Sequence, residues 1–325
     1  MRGDAAAFVI TIDTEEDDSW NPTSAPTTEN ARFLPRFQGL CEGFGLKPTY
    51  LVNHPMAEDA RFQAFGRDVL RRATGEIGLH IHAWSSPPAT GVAEWDSDPI
   101  YITELPDDWI HTKMVQMTEH LAQRFETPVV SHRSGRWGFD GRVAAVLEKL
   151  GYRVDCSVTP GISWRHKKGA RNGAGGPSFR GFPIAPYFLD PSDIRRPGAS
   201  PVLEVPVTIR PAYPPLLQRL HDAAERSVVG KALRRVLGAP YLWLRPDGRN
   251  LTRMIGVVDW ALARGLPVLE FMLHSSELMP GASPTFRTDE SVEDLYRQLQ
   301  SLFAHVAGRG LKGQTLGEFR KSYAA

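Results

Sequence analysis

Acidic and imidazole side chains occur in this sequence as two pairs, and in each pair the residues are two positions apart. Asp13 and Glu15 follow an apolar run near the start of the chain, and His80 and His82 end a later one. Residues two apart on an extended chain point to the same side. A carboxylate with two histidines is a common ligand set for Zn²⁺ or a related divalent ion, and it leaves a position open for water. The spacing therefore predicts a divalent metal, zinc or another transition metal, held by Glu15, His80 and His82.

Simpler explanations exist for both pairs. Asp13 and Glu15 belong to an acidic run that continues through Asp17, and such a run is most often a solvated loop that opens a helix. A buried histidine is most often a hydrogen-bonded core residue. Position favours a site over these alternatives, because the strand ends of α/β folds are where ligands bind.

Other apolar runs end in side chains that would complete an acid–base site. Arg133 ends the fourth run and offers a guanidinium that would hold Asp13 ionised and oriented. His274 ends the last long run, where an imidazole opposite a carboxylate base suits the acid half of the pair. Asp155 ends the fifth run and is expected to orient such a histidine.

Three further residues are candidates for substrate contact. His54 lies just past the second run and before a proline, so it is a reserve metal ligand, a substrate contact or only a turn residue. Trp84 and Trp137 lie beside the predicted site and are expected to stack on a substrate ring, whereas Arg136 suits a structural bracket. Aromatic faces stack on sugars, although tryptophans in loops also form small loop cores.

The elements that must position these residues alternate between strand and helix. This alternation predicts an α/β fold with about seven parallel strands and outer helices, whose carboxyl ends share one cleft. The strand-like runs are residues 8–13, 47–53, 76–82, 128–132, 152–156, 202–208 and 267–273. The helical patterns are near 28–44, 57–73, 108–125, 139–150, 250–264 and 289–306. Gly265 follows one of them at the position of a left-handed C-cap.

Two long segments, near 85–106 and 159–201, interrupt this alternation and are rich in glycine, proline and polar residues. They extend from strand ends on the presumed active face. We expect them to form the walls of a substrate cleft, and partial disorder is the alternative for the second, basic segment. We expect residues 1–325 to form a single domain with these two insertions.

Composition excludes several classes of function. The chain has 325 residues and a formal net charge of +1, so no overall field would recruit nucleic acid or an anionic membrane. No stretch approaches the roughly 18 apolar residues of a membrane span, and the start of the chain lacks a signal-peptide core. Its two cysteines, Cys41 and Cys156, suit buried thiols in a reducing compartment. These features predict a cytoplasmic protein without a transmembrane segment.

At these residues the chain resembles the polysaccharide deacetylase family, the NodB-homology or carbohydrate esterase family 4 group. The order of the motifs carries the resemblance: Thr11-Ile-Asp-Thr-Glu, His80-Ile-His, Arg133-Ser-Gly-Arg-Trp and Leu273-His-Ser. The chain is most similar to a branch encoded in bacterial surface-polysaccharide and O-antigen loci, which includes the WbmS-like proteins of Bordetella.

This resemblance implies a distorted barrel of βα units and metal-dependent removal of an acyl group from an amino sugar. Asp13 would be the general base for the attacking water, and Glu15 and His80 would be metal ligands. Arg133 would pair with Asp13, and His274 would protonate the leaving amine.

The chain departs from the family's pattern at two of these positions. The usual second motif has two histidines four residues apart, but Trp84 occupies the second position here and cannot ligate a metal. His82 is the candidate replacement. The usual aspartate ligand is Glu15, which is one methylene longer.

The leading hypothesis is therefore a metal-dependent deacetylase-like amidohydrolase. Its substrate would be an amino-sugar-containing saccharide or glycolipid of a bacterial surface polysaccharide. A catalytically silent sugar-binding relative and a hydrolase of a small non-sugar amide are the alternatives. Stoichiometric metal at Glu15 and His80 favours an enzyme, whereas a metal-free protein that binds sugars favours the silent relative.

Overall fold

The structure is a computed structural model that describes residues 6–20, 26–224 and 227–323, and the side chain of Leu233 is not described. The first five residues, on which the expectation about the start of the chain depends, lie outside the described residues.

A curved, mostly parallel sheet forms the centre of the molecule. The strand order is β10-β1-β2-β3-β4-β5-β7-β6, and β11 pairs with the first half of β1. All these pairs are parallel except β6 with β7, and β8 and β9 form a separate antiparallel hairpin. The strands are β1 (Ala7–Thr14), β2 (Pro48–Val52), β3 (Glu76–Ile81), β4 (Ser131–Ser134), β5 (Val154–Asp155), β6 (Tyr187–Phe188), β7 (Leu203–Glu204), β8 (Ile209–Pro211), β9 (Tyr241–Trp243), β10 (Val268–His274) and β11 (Lys312–Gln314).

Helices follow most of these strands, and most of the helices cover the outer face of the sheet. They are α1 (Leu34–Gly43), α2 (His54–Glu58), α3 (Ala60–Arg71), α4 (Ala93–Ser97), α5 (Asp107–Phe125), α6 (Gly141–Lys149), α7 (Pro215–Ala224), α8 (Val228–Leu237), α9 (Leu251–Ala263), α10 (Asp289–Gly308) and α11 (Leu316–Tyr323). Short 3₁₀ turns lie at Glu29–Phe33, Ile102–Glu104, Gly135–Trp137 and Ser275–Leu278.

Alternation along the strands divides the apolar side chains between two cores. In β1, Phe8, Ile10 and Ile12 face outward and pack under the helices in the large core. Val9 faces the inside of the curve, where a smaller apolar cluster also contains Leu51. Beyond that cluster, towards the carboxyl ends of the strands, the inward positions become polar.

The sheet is bridged into a distorted barrel at Thr208. The segment after β7 reaches β10, where the Thr208 backbone N–H donates to the Glu270 carbonyl at 3.2 Å and the Glu270 N–H donates to Thr208 Oγ1 at 2.8 Å. The predicted α/β fold with about seven parallel strands is confirmed, and the described sheet has eight because β11 adds a strand that the sequence did not indicate. Strand β7 is shorter than the predicted run of residues 202–208, because residues 205–208 continue the chain without regular ladder hydrogen bonds.

The six predicted helices are present, and Gly265 has a φ of 67°, in the left-handed region expected of its C-cap. The pattern analysis missed the β8–β9 hairpin and the helices α7 and α8 that it carries. Cys41 and Cys156 are free and buried. Within the described parts of the chain, no helix is long and apolar enough to cross a bilayer.

Candidate functional site

Strand β1 positions the acidic pair because it lies inside the sheet, between β10 and β2. Asp13 is in register with His274 of β10, and both it and Glu15 are almost fully buried. The backbone of Glu15 is fixed by Ser275, whose hydroxyl accepts from the Glu15 N–H at 3.1 Å. Both carboxylates therefore have defined positions rather than lying in a solvated loop.

Strand β3 brings two imidazoles to the same point. Nε2 of His80 lies 3.5 Å from Glu15 Oε2, and Nε2 of His82 lies 3.3 Å from the same oxygen. The two Nε2 atoms are 3.1 Å apart. His82 is one residue past β3, yet it still points inward as the extended spacing predicts.

These three atoms fit a divalent metal. Tetrahedral zinc bound at about 2.0–2.1 Å requires ligand atoms roughly 3.3 Å apart, close to the three separations observed. Burial alone would raise the pKa of Glu15, but hydrogen bonds from His80 and His82 hold it well below its ordinary value. The group is thus an anion, which is the state that ligates a cation. Among the described residues, neither histidine Nδ1 has a hydrogen-bond partner.

Arg133 lies between two buried carboxylates. Its Nη1 donates to Asp13 Oδ1 at 2.6 Å, and its Nη2 donates to Glu270 Oε1 at 2.5 Å and to Thr11 Oγ1 at 2.8 Å. Burial would raise the pKa of Asp13, but the Arg133 charge, with His80 and His274, lowers it below the ordinary value. Asp13 is therefore ionised, and its Oδ2 remains directed to the cleft.

His274 presents Nε2 to both carboxylates of β1. This atom lies 3.7 Å from Asp13 Oδ2 and 3.7 Å from Glu15 Oε1. On its other side, Arg245 Nη2 lies 3.0 Å from His274 Nδ1 and also donates to Glu277 Oε1. Nδ1 also lies 3.4 Å from Glu277 Oε2, so two side chains contact this nitrogen and Nε2 is the ring nitrogen that faces the cleft.

The rest of the acidic run has structural contacts. Asp17 accepts hydrogen bonds from the backbone N–H groups of Glu29 and Asn30 at 2.8 and 3.0 Å, so it caps the following 3₁₀ turn. Glu16 accepts from the Asn53 side chain. The interpretation of the acidic run as a helix-opening loop is thus right for Asp17 and wrong for Asp13 and Glu15.

A cleft of about 850 Å³ contains this cluster. The two predicted insertions form part of its wall and are held together: the Tyr101 hydroxyl donates to the Lys167 carbonyl at 2.9 Å, and the Ala170 N–H donates to Glu104 at 3.0 Å. Tyr101 and Lys167 themselves line the cleft.

Both predicted aromatic contacts line the cleft, but neither ring is free on both faces. Trp84 stacks on His82, with ring centroids 4.2 Å apart and an angle of 14°. Trp137 is only 8% exposed and packs beside Trp164 and the Arg133 guanidinium. Arg136 donates to the Lys168 carbonyl, which agrees with its interpretation as a bracket.

His54 lines the cleft without joining the first metal cluster. In the described ranges, two sets of histidine and glutamate side chains bring three potential ligand atoms within 4.8 Å of one another. One is Glu15, His80 and His82, and the other is His54, Glu58 and His120. The interpretation of His54 as a reserve ligand for the first set is therefore wrong.

The prediction for Asp155 is wrong. Its carboxylate accepts from His132 Nδ1 at 2.6 Å, and neither residue lines the cleft. The reason is the alternation of β5: Val154 and Cys156 face inward in the small core, so Asp155 faces outward. It orients a buried histidine, but a different one from His274.

Sequence reasoning missed four residues that hold the site together, namely Thr11, Glu270, Arg245 and Glu277. Glu270 carried a signal, since an ionisable residue within the apolar run of β10 must find a buried partner. Thr11 is two residues before Asp13 and so shares its face. Arg245 lies in an irregular segment and Glu277 in the short 3₁₀ turn Ser275–Leu278, where periodicity gives no signal.

Comparison with known proteins bears on the fold. No family model and no curated protein matches the sequence. Among solved structures, PuuE allantoinase has 14% identity and a TM-score of 0.53, covering 99% of this chain and 92% of its own. The 4-alpha-glucanotransferase of Thermococcus litoralis has 11% identity and a TM-score of 0.52, over 98% of this chain and 40% of its own. These likenesses support the α/β architecture.

A protein of Mycobacterium smegmatis that is described as a polysaccharide deacetylase also matches. It has 14% identity and a TM-score of 0.46, over 97% of this chain and 96% of its own.

Proposed function

We propose that this chain is a metal-dependent deacetylase-like amidohydrolase. It would remove an N-acyl group, acetyl in the first instance, from an amino sugar of a bacterial surface polysaccharide, O-antigen or precursor glycolipid. The observation that carries the proposal is the convergence of Glu15, His80 and His82 next to an ionised Asp13 in one cleft.

Glu15, His80 and His82 would hold the divalent ion, zinc or another transition metal. Bound there, such an ion supplies Lewis acidity that lowers the pKa of water and polarises an acyl carbonyl. The buried, anionic state of Glu15 supports this assignment.

Asp13 is suited to accept the proton of the attacking water. Arg133 occupies its Oδ1, so Oδ2 is the atom available, and it faces the cleft next to His274. A base fixed by a buried guanidinium keeps its orientation between turnovers.

His274 is suited to protonate the leaving amine. Arg245 and Glu277 contact its Nδ1, which leaves Nε2, the atom that faces the carboxylates, available for proton transfer. An amine must gain a proton to leave, and this atom is near the group that took one from water.

The size and lining of the cleft support a sugar substrate. A volume of about 850 Å³ exceeds the need of a small amide, and Trp84 and Trp164 supply ring surface of the kind that sugars contact. The acyl group and the sugar are left to the assay.

The test combines metal content and acetate release. The metal-loaded protein is incubated with N-acetylated amino sugars, and Asp13→Asn is expected to keep its metal while losing turnover by about 100-fold or more. Asp17→Asn is the matched control, because Asp17 lines the same cleft but only caps a turn. Near-normal turnover in Asp13→Asn would refute the assignment of the base.

A catalytically silent sugar-binding relative is favoured by one observation, the His80–His82 spacing with Trp84 stacked against the second ring. Zinc titration separates the two, since a silent relative would bind sugar and no metal. A hydrolase of a small non-sugar amide would release product from simple amides and not from amino sugars.

We also propose a cytoplasmic location. Cys41 and Cys156 are both free and buried, which suits a reducing compartment.

A further inference from the structure

The helical hairpin formed by α7 and α8 exposes apolar side chains to an extent found nowhere else among the described residues. Val228, Val236 and Leu216 are 83%, 80% and 79% exposed, and Leu220, Val229 and Leu237 are about half exposed. We propose that this hairpin docks the protein on an anionic lipid surface. The proposal does not depend on the hydrolase activity.

The apolar residues of α8 lie on one side. At 100° per residue, Val228, Val229 and Val236 fall on one arc together with Leu237 at its edge. Of the α8 residues whose burial the structure describes, only Gly230 is buried. The helix therefore lies on the surface of the protein, and its apolar arc is exposed.

The remaining arc is basic. Lys231, Arg234 and Arg235 occupy it, and the sequence of α8 contains no acidic residue. The whole chain has a net charge of only +1, so this is a local concentration of positive charge. An exposed apolar arc with a basic remaining arc is typical of helices that lie in the headgroup region of a bilayer.

Charge also argues against a second copy of the chain as the occupant. In a twofold dimer the same patch contacts itself, so Arg235, which lies about 20° from Val228 around the helix, would approach its own counterpart. Anionic headgroups instead neutralise this cation, and Lys231 and Arg234 add to the positive charge of the helix. A lipid surface can therefore bury the apolar arc and neutralise the positive charge of α8.

The hairpin is attached at the edge of the cleft. The Tyr241 hydroxyl of β9 donates to Asp222 of α7 at 2.8 Å, and the Tyr213 hydroxyl donates to the Gly238 carbonyl at 2.6 Å. Trp243, also in β9, packs 6.3 Å from Trp164 of the cleft wall. Docking through α8 thus brings the cleft near the lipid headgroups.

Vesicle co-sedimentation of the full chain tests the proposal. We expect binding to phosphatidylcholine vesicles that contain phosphatidylglycerol, and weaker binding to phosphatidylcholine alone. Val228→Glu/Val236→Glu should weaken binding on the order of ten-fold or more. Replacing Lys231, Arg234 and Arg235 by glutamine should weaken it about five-fold for each cation removed.

The matched control is Val92→Glu/Ile184→Glu, which replaces two exposed apolar residues outside the hairpin with the same change in charge. It should bind like the unmodified chain, and circular dichroism should show both double variants folded. No binding to anionic vesicles, or equal loss in the control, overturns the proposal. So does a dimer in sedimentation velocity that Val228→Glu/Val236→Glu converts to monomer, because a second copy then covers the arc.

Discussion

The Arg133 guanidinium donates to the Asp13 carboxylate at 2.6 Å, with the arginine side chain completely buried. The same guanidinium also contacts Glu270, so one cation serves two carboxylates. The pKa values diverge accordingly. Burial raises the pKa of Glu270 despite the arginine, whereas the pKa of Asp13 is lowered. The buried arginine, together with His80 and His274, thus keeps Asp13 charged.

Arg133→Gln should strongly destabilise the protein. It leaves two carboxylates buried without their cation, and breaking a buried ion pair by removing one partner costs about 3–5 kcal/mol of unfolding free energy. Denaturant unfolding measures the loss. Arg71→Gln is the control, because Arg71 pairs with Asp68 on the surface and such pairs contribute about 0–1 kcal/mol. Equal losses in the two variants would contradict the buried-network interpretation.

His82→Ala should remove the metal. Its Nε2 lies 3.3 Å from Glu15 Oε2, so the variant leaves two ligands of three. His54→Ala tests the same chemistry in the same cleft, but its ring belongs to the set with Glu58 and His120. Elemental analysis after dialysis should find zinc reduced in His82→Ala and retained at the first site in His54→Ala. The reverse pattern would exclude His82 as the replacement for the position that Trp84 occupies.

The positions on β1 and β3 could be predicted because alternation there is long and uninterrupted. Counting in twos from Asp13 or from His80 gives the correct face for each pair. The same count also gives the face on which Asp155 lies. Strands β4 and β5 pair His132 with Asp155, and because the next residues, Arg133 and Cys156, face inward, Asp155 faces outward. That error was therefore avoidable from the sequence.

Other parts of the site depend on contacts that no local pattern specifies. Glu270 meets Arg133 across 137 positions of chain, and Arg245 reaches His274 from an irregular segment. The α7–α8 hairpin was missed for a different reason. Its apolar residues are exposed, so its periodicity does not indicate packing against the sheet.

Glu204→Gln should stabilise the protein increasingly as the pH rises. Burial and the neighbouring Asp155 carboxylate raise the pKa of Glu204 well above its ordinary value. Above about pH 4.3 the unfolded chain releases this proton while the folded chain keeps it, so stability falls as pH rises towards the folded pKa. Each pH unit in that window costs about 1.4 kcal/mol, and glutamine removes the titration.

Thermal unfolding across this pH range measures the effect, and Glu148→Gln on the exposed side of α6 is the control. The control should follow the unmodified protein at every pH. A glutamine at 204 still accepts from the Val158 N–H, which Glu204 Oε1 now does at 3.0 Å. A constant difference between Glu204→Gln and the unmodified protein would mean that Glu204 does not titrate in this window.

Gly135→Ala should displace His82 and weaken metal binding. A Cβ at this position would collide with the His82 ring and lie 2.8 Å from the Ile81 carbonyl, so neither neighbour leaves room. Gly39→Ala in α1 is the control, because nothing lies within 4 Å of its added Cβ and alanine favours a helix by about 1 kcal/mol. Zinc titration and unfolding are measured together. We expect Gly135→Ala to reduce both zinc affinity and stability, and Gly39→Ala to reduce neither. Unchanged zinc affinity in Gly135→Ala would mean that His82 can move without loss of the ion and is not a ligand.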